Sequence, residues 1–153
     1  MEAFSDGVFG ISMTLLVLEI KVPKAAEVAP PLNLAGALLE KGRFDDAIPH
    51  FEKALAANPG STQLHFYLGR LLATHGKFDE AIPHLEKAWA GGDPAIGGML
   101  AAVYAQVGRL SDALATARKA LQVARERNQQ ELVRTLNGSV ASYEAALGTP
   151  ARP

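Results

Sequence analysis

The fourteen residues GRFDDAIPHFEKAL, starting at Gly42, recur 34 residues later as GKFDEAIPHLEKAW, starting at Gly76. Ten of the fourteen positions are identical, and Arg43/Lys77 and Asp46/Glu80 exchange like for like. A third, weaker copy opens 32 residues further on with Gly108, Arg109, Leu110 and the pair Ser111-Asp112. Self-similarity at this period requires stacked supersecondary units, because no single unit can bury its apolar face alone. Such an array presents surface rather than a reaction centre, so binding is the activity it implies.

Alignment on Ala47, Ala81 and Ala113 starts the three units at Val28, Thr62 and Pro94. Each unit begins with a helix predicted from residues sharing one face: Leu34/Ala35/Leu38, Leu68/Gly69/Leu72 and Leu100/Ala101/Tyr104. A second helix follows from Ala47/Phe51/Ala54, Ala81/Leu85/Ala88 and Ala113/Ala117/Ala120. Between the two stands Gly42, Gly76 or Gly108, a residue able to take φ > 0 at a helix end. Asp45-Asp46, Asp79-Glu80 and Asp112 then place negative charge in the first turn, where the helix dipole favours it. Pro59 and Pro94 stop a helix, whereas Pro49 and Pro83 come early in theirs and remove at most one backbone bond. The two residues missing between the second and third copies predict a shortened connection around Gly91, Gly92 and Asp93. Residues 128–148 read as one more helix, with the stripe Leu132, Leu136, Val140, Tyr143 and Leu147. Its polar side, Gln129, Gln130, Glu131 and Arg134, suits the closing cap of a solenoid. Residues 149–153 are a tail.

This pattern resembles the tetratricopeptide repeat, a 34-residue helix–turn–helix unit. The second copy matches best, through Leu68-Gly69, Ala81, Ala88 and Asp93-Pro94. Pro31, His65 and Gly97 stand where the family carries a large aromatic early in the first helix. The resemblance implies an all-α, right-handed solenoid of three units over residues 32–127, closed by the capping helix. It also implies a protein-interaction scaffold holding a peptide or partner helix in its concave groove. Transferred by offset, the lining is Leu32, Leu39 and Glu40; Gln63, Phe66, Arg70 and Thr74; and Ala102, Ala105 and Gln106. The Lys/Asn/Arg clamp that some members use for acidic carboxyl-terminal tails is absent, since Leu32, Gly36, Tyr67, Ala95 and Met99 occupy its offsets. A hydrophobic or helical ligand is therefore expected.

Composition narrows the alternatives. A formal charge of −1, with no Lys/Arg stripe, lacks the footprint of a nucleic-acid binder. There is no cysteine, which excludes disulfides, thiolate metal sites and Cys nucleophiles. His50 and His84 occupy equivalent positions in neighbouring units and invite a two-His metal site, but no carboxylate shares their spacing, and repetition alone accounts for the coincidence. The acidic pairs diverge around a helix, Gly97-Gly98 suits close helix packing, and no nucleotide-binding or nucleophile-elbow spacing occurs. No catalytic residue, metal or cofactor is expected.

Residues 1–23 stand apart from the repeats. From Phe4 to Val22 apolar residues surround the whole helix: Phe4, Val8, Ile11, Leu15, Leu18 and Val22 on one face, Phe9, Met13, Val17 and Ile20 on the other. A helix without a polar face is buried in protein or in lipid, and 4–22 is just long enough to span a bilayer. Glu2 and Asp6 make its start acidic, unlike a secretory signal. Phe4-Ser5-Asp6 and the apolar run after it resemble the first transmembrane helix of the transmembrane protein 175 family of potassium channels. There the helix lines the pore; carried over, Ile11 falls at a hydrophobic constriction, Leu15 and Leu18 continue the stripe, and Thr14 lies near the selectivity layers. The family's arginine would fall before Met1, and its other transmembrane helices have no counterpart in this sequence. The alternative function is thus a membrane-associated fragment or fusion of such a channel, not conducting by itself. A linker, 24–31, carries Pro30-Pro31. The expected location is cytoplasmic, or membrane-anchored through residues 4–22. Off the membrane, Ile11, Leu15 and Leu18 are expected to cover the first helix pair or to mediate self-association.

Overall fold

The structure, a computed structural model, describes residues 35, 37, 38, 41–90 and 92–148. The apolar segment with its channel-like motif, the linker, the groove positions Leu32, Leu39 and Glu40, and the tail lie outside them. Among the described residues there are six helices and no strand: α1 (Phe44–Ala57), α2 (Thr62–Thr74), α3 (Phe78–Trp89), α4 (Pro94–Gln106), α5 (Leu110–Glu126) and α6 (Gln130–Ala146). Helical residues Ala35, Ala37 and Leu38 come before α1. Each helix packs on its chain neighbours, and α4 also touches α6.

One turn geometry generates the array. At Gly42, Gly76 and Gly108 φ is +68°, +73° and +79°, a region closed to most side chains. The residue after each glycine donates its N–H back across the helix end: Arg43 to Leu38 O at 2.8 Å, Lys77 to Leu72 O at 2.9 Å and Arg109 to Tyr104 O at 2.8 Å. This six-residue closure satisfies a carbonyl that the helix would otherwise leave bare. The same residue then caps the next helix, and in two units its guanidinium clasps the first-turn acid: Arg43 to Asp46 and Arg109 to Asp112, each at 2.7 Å. Both pairs are exposed and add little stability. Asn128 repeats the turn before α6, with φ +57° and Gln129 N–H on Ala124 O at 3.0 Å.

Small residues let the layers approach. Ala47, Ala81, Ala113, Ala117 and Ala120 are completely buried, as are Leu85 and Ala88. Helix α4, PAIGGMLAAVYAQ, has no charged residue and is buried along most of its length, because α3, α5 and α6 enclose it. At its first turn, a Cβ on Gly97 would lie 2.7 and 2.8 Å from the Trp89 ring and 2.9 Å from Ala120 Cβ. The volume of the aromatic missing from α4 is therefore filled by Trp89, the last residue of α3. The deleted pair of residues acts at the same place. It was expected to shorten the connection before α4, yet the segments joining α1 to α2 and α3 to α4 each have four residues. The helix is shorter instead: α3 has 12 residues where α1 has 14. Gly92, at φ +75°, supports the early stop, and Trp89 is left facing Gly97.

Helix α6 closes the array over α5. Leu136 and Tyr143 are fully buried, and Glu144, also buried, accepts a charge-assisted hydrogen bond from Arg118 of α5. Leu147, expected on the same stripe, is 39% exposed, because it sits at the C-cap beyond the last buried layer.

Burial pushes the Tyr143 phenol up to about 12. Burial, followed by donation to Glu86 Oε1 at 2.5 Å, does the same for Tyr104, also to about 12. An unfolded tyrosine ionises near pH ~10. Between that value and 12 the native state holds protons the unfolded chain has lost, so stability is full below about pH 10 and is lost as the pH rises through 12. The urea midpoint is accordingly expected to fall between about pH 9.5 and about pH 11.5, and Tyr143→Phe should flatten that fall. An equal slope in both proteins would refute it.

Candidate peptide-binding groove

The first helices of successive units, α2 and α4, approach at their N-terminal turns. Ser61 Oγ caps α2 by accepting the Leu64 N–H at 3.3 Å, and Asp93 Oδ1 caps α4 by accepting the Ala95 N–H at 2.9 Å with Pro94 at the first helical position. Between these ends lies a pocket of about 330 Å³, lined by Thr62, Gln63 and Phe66 from α2, Ala88 from α3, and Asp93, Ala95 and Ile96. Its size is at the low end for ligand pockets and suits one or two apolar side chains rather than a cofactor. Gln63 Nε2 donates to the Tyr67 hydroxyl at 3.3 Å. One turn beyond Phe66, the Arg70 guanidinium lies 5.8 Å from the Phe66 ring centroid and 5.9 Å from that of Tyr67. Burial lowers the pKa of Arg70, with Tyr67 pulling the other way.

Of the lining residues transferred by offset, Gln63 and Phe66 border this pocket and Arg70 stands beside it. Thr74 is exposed at the end of α2, where its hydroxyl donates to Arg70 O at 2.9 Å. Ala102 and Ala105 are buried and Gln106 half-buried on α4, away from the pocket lining. Thr62, Ala88, Asp93, Ala95 and Ile96 were not anticipated. A signal existed for Ala95, which shares its offset with Gln63. Ala88 joins from a second helix, which a groove drawn along first helices omits.

The histidines do not fall as their repeat positions suggest. His84 pairs with His65 across α2 and α3, Nδ1 to Nδ1 at 2.9 Å, rather than with His50. Among the described residues no three His, Asp or Glu side chains converge to hold a metal ion. Nor is any described helix long and apolar enough to cross a membrane.

Helix pairs stacked in sequence, with a small apolar pocket between first helices, define a helical-repeat interaction scaffold. The tetratricopeptide-repeat family model matches residues 32–95, and a second one matches residues 72–136. The chain is a tetratricopeptide-repeat protein over that span. Residues 1–51 match the family described as endosomal/lysosomal potassium channel TMEM175. A Streptomyces collinus potassium channel is 76% identical over 25 residues, covering 16% of this chain and 12% of the channel. One from Chamaesiphon minutus is 56% identical over 39 residues, 26% of this chain and 19% of the channel. The matched stretches thus span less than a fifth of either relative's length. Among solved structures, the Yersinia enterocolitica type III secretion translocator chaperone SycD superposes with a TM-score of 0.71 at 16% identity, over 89% of this chain and 94% of that one. SycD has also been solved with a peptide of the translocator YopD, with a TM-score of 0.69 at 18% identity, over 84% and 98% of the two chains. MamA (MSR-1) gives 0.67 at 18% identity, over 97% and 84%. At these identities the likeness is one of fold.

Proposed function

We propose that this protein is a non-enzymatic scaffold that holds a peptide or partner helix along α2 and α4, with an apolar side chain seated between Phe66 and Ile96. The observation that carries this reading is the apolar pocket at the convergence of α2, α3 and α4. The SycD complex supports it by analogy, since that chaperone of similar fold was solved with a peptide. Acidic carboxyl-terminal tails are not expected as ligands, because Tyr67, Ala95 and Met99 stand at clamp offsets. Peptides selected from a random library on the intact protein provide the test. Phe66→Ala and Ile96→Glu should each weaken the selected sequences at least ~10-fold, the cost of one well-buried anchor. Gln129→Ala, outside the pocket, should change nothing. Unaltered binding in both pocket variants would remove the groove from consideration.

A second reading is favoured by the channel matches at residues 1–51. In it, residues 4–22 anchor the scaffold to a membrane; without the membrane they cover the first unit or self-associate, and the location is cytoplasmic. Carbonate-washed membranes distinguish these states, since retention of the intact chain in the pellet requires insertion.

A further inference from the structure

We propose that His65 and His84 form a one-proton latch that holds α2 against α3 at neutral pH and releases it in acid. His65 is 5% exposed, and its Nε2 lies 3.0 Å from the carbonyl oxygen of Pro59 in the α1–α2 connection. A carbonyl can only accept, so Nε2 carries the proton and Nδ1 of the neutral ring is left as an acceptor. The 2.9 Å contact then requires Nδ1–H of His84 to donate into that lone pair. Both tautomers are thereby fixed by partners on three different segments.

The first added proton goes to His84 Nε2, where it leaves the bond intact and makes its donor stronger. A second has only His65 Nδ1 to occupy. That removes the acceptor, sets two N–H groups against each other and brings two cations to ring centroids 5.1 Å apart. The juxtaposed pair of rings therefore has room for one added proton, whereas two separated imidazoles accept two.

The surroundings offer no relief. Burial is the largest influence lowering the His84 pKa, followed by His65 and then Lys87 on its own helix. Neither of these neighbours is a carboxylate. The carboxylates Asp79 and Glu80 of α3, the latter one turn before His84, are exposed, as are Asp45, Asp46, Glu52 and Lys53 of α1, where His50 is half-buried. On α2 the other titratable side chains are Tyr67, bonded to Gln63, and Arg70, stacked over Phe66 and Tyr67. Helix α4, on the far side of α3, contributes only Tyr104, which is bonded to Glu86. Gly69 gives no slack either, since a Cβ there would stand 3.2 Å from His84 Cβ and 2.8 Å from Leu85 Cγ. Because the His84 pKa is lowered, the unfolded chain binds more protons below the ordinary histidine value of ~6.5, so stability is full above that pH and falls as the pH drops through the lower native value of His84.

The test compares the intact protein with His65→Gln, whose amide can accept from His84 and donate to Pro59 O but cannot be protonated. His50 and His75 are common to both proteins and cancel. Between about pH 7.5 and about pH 5, the wild-type Tm should fall about 4–8 °C further than that of the variant. Equal falls would overturn the latch. Long-range ¹⁵N histidine spectra of the wild type give a reading that needs no variant. At about pH 8 they should show His65 protonated on Nε2 and His84 on Nδ1. A proton on His65 Nδ1 at that pH would also overturn it.

Discussion

Gly97→Ala should lower stability by about 1–3 kcal/mol, even though alanine is the better helix former by ~1 kcal/mol. The added methyl meets the Trp89 ring at 2.7 Å and Ala120 Cβ at 2.9 Å. Ala120 is completely buried and cannot yield, so the indole must leave its site. Fluorescence reports this directly, because Trp89 is the chain's single tryptophan. Its emission should shift to the red as the urea midpoint falls. Gly138→Ala provides the contrast: it also lies inside a helix, nothing stands within 4 Å of its new Cβ, and it should gain about 0.5–1 kcal/mol. Trp89→Leu restores the residue type of the first copy and should rescue much of the Gly97→Ala loss. Strict additivity of the two changes would show that ring and glycine are not coupled.

Truncation of Tyr143 is the second large effect. The side chain is 1% exposed and belongs to the seal between α6 and the array, so Tyr143→Ala should cost about 3–5 kcal/mol. In a solenoid that loss is local: the cap frays while the inner units persist. Hydrogen exchange should quicken across α6 and the facing side of α5, where Leu121 and Ala124 meet Leu136, before α2 or α3 responds. Uniform acceleration through all six described helices would mean that the array unfolds as one body.

What could be read in advance was whatever repeats or is local. Gly42, Gly76 and Gly108 announce the turns because a positive φ selects glycine, and the alanine and leucine stripes announce the layers by their spacing. Asn128 escaped notice because asparagine enters the left-handed region without a distinctive sequence signal. Trp89 and Gly97 were each visible, but their complementarity depends on where α3 stops, and two missing residues do not say whether helix or connection gives them up. His65 and His84 lie 19 residues apart on different helices and meet only after those helices pack. The pocket fared similarly: Gln63 and Phe66 follow from family offsets, while Ala88 enters from the second helix of its unit and Asp93 from the N-cap of α4.

The interlocking of Trp89 with Gly97 has a consequence for how such an array can grow. A tandem duplication of the second unit would set the indole against His65, the residue at the offset Gly97 holds in the third, where an imidazole already fills the space. Duplicating the first unit would bring only Leu55, the smaller residue at the offset of Trp89, to the new junction. The Trp89–Gly97 junction therefore opposes copying of the second unit in tandem, a constraint that Leu55 does not impose on copying of the first.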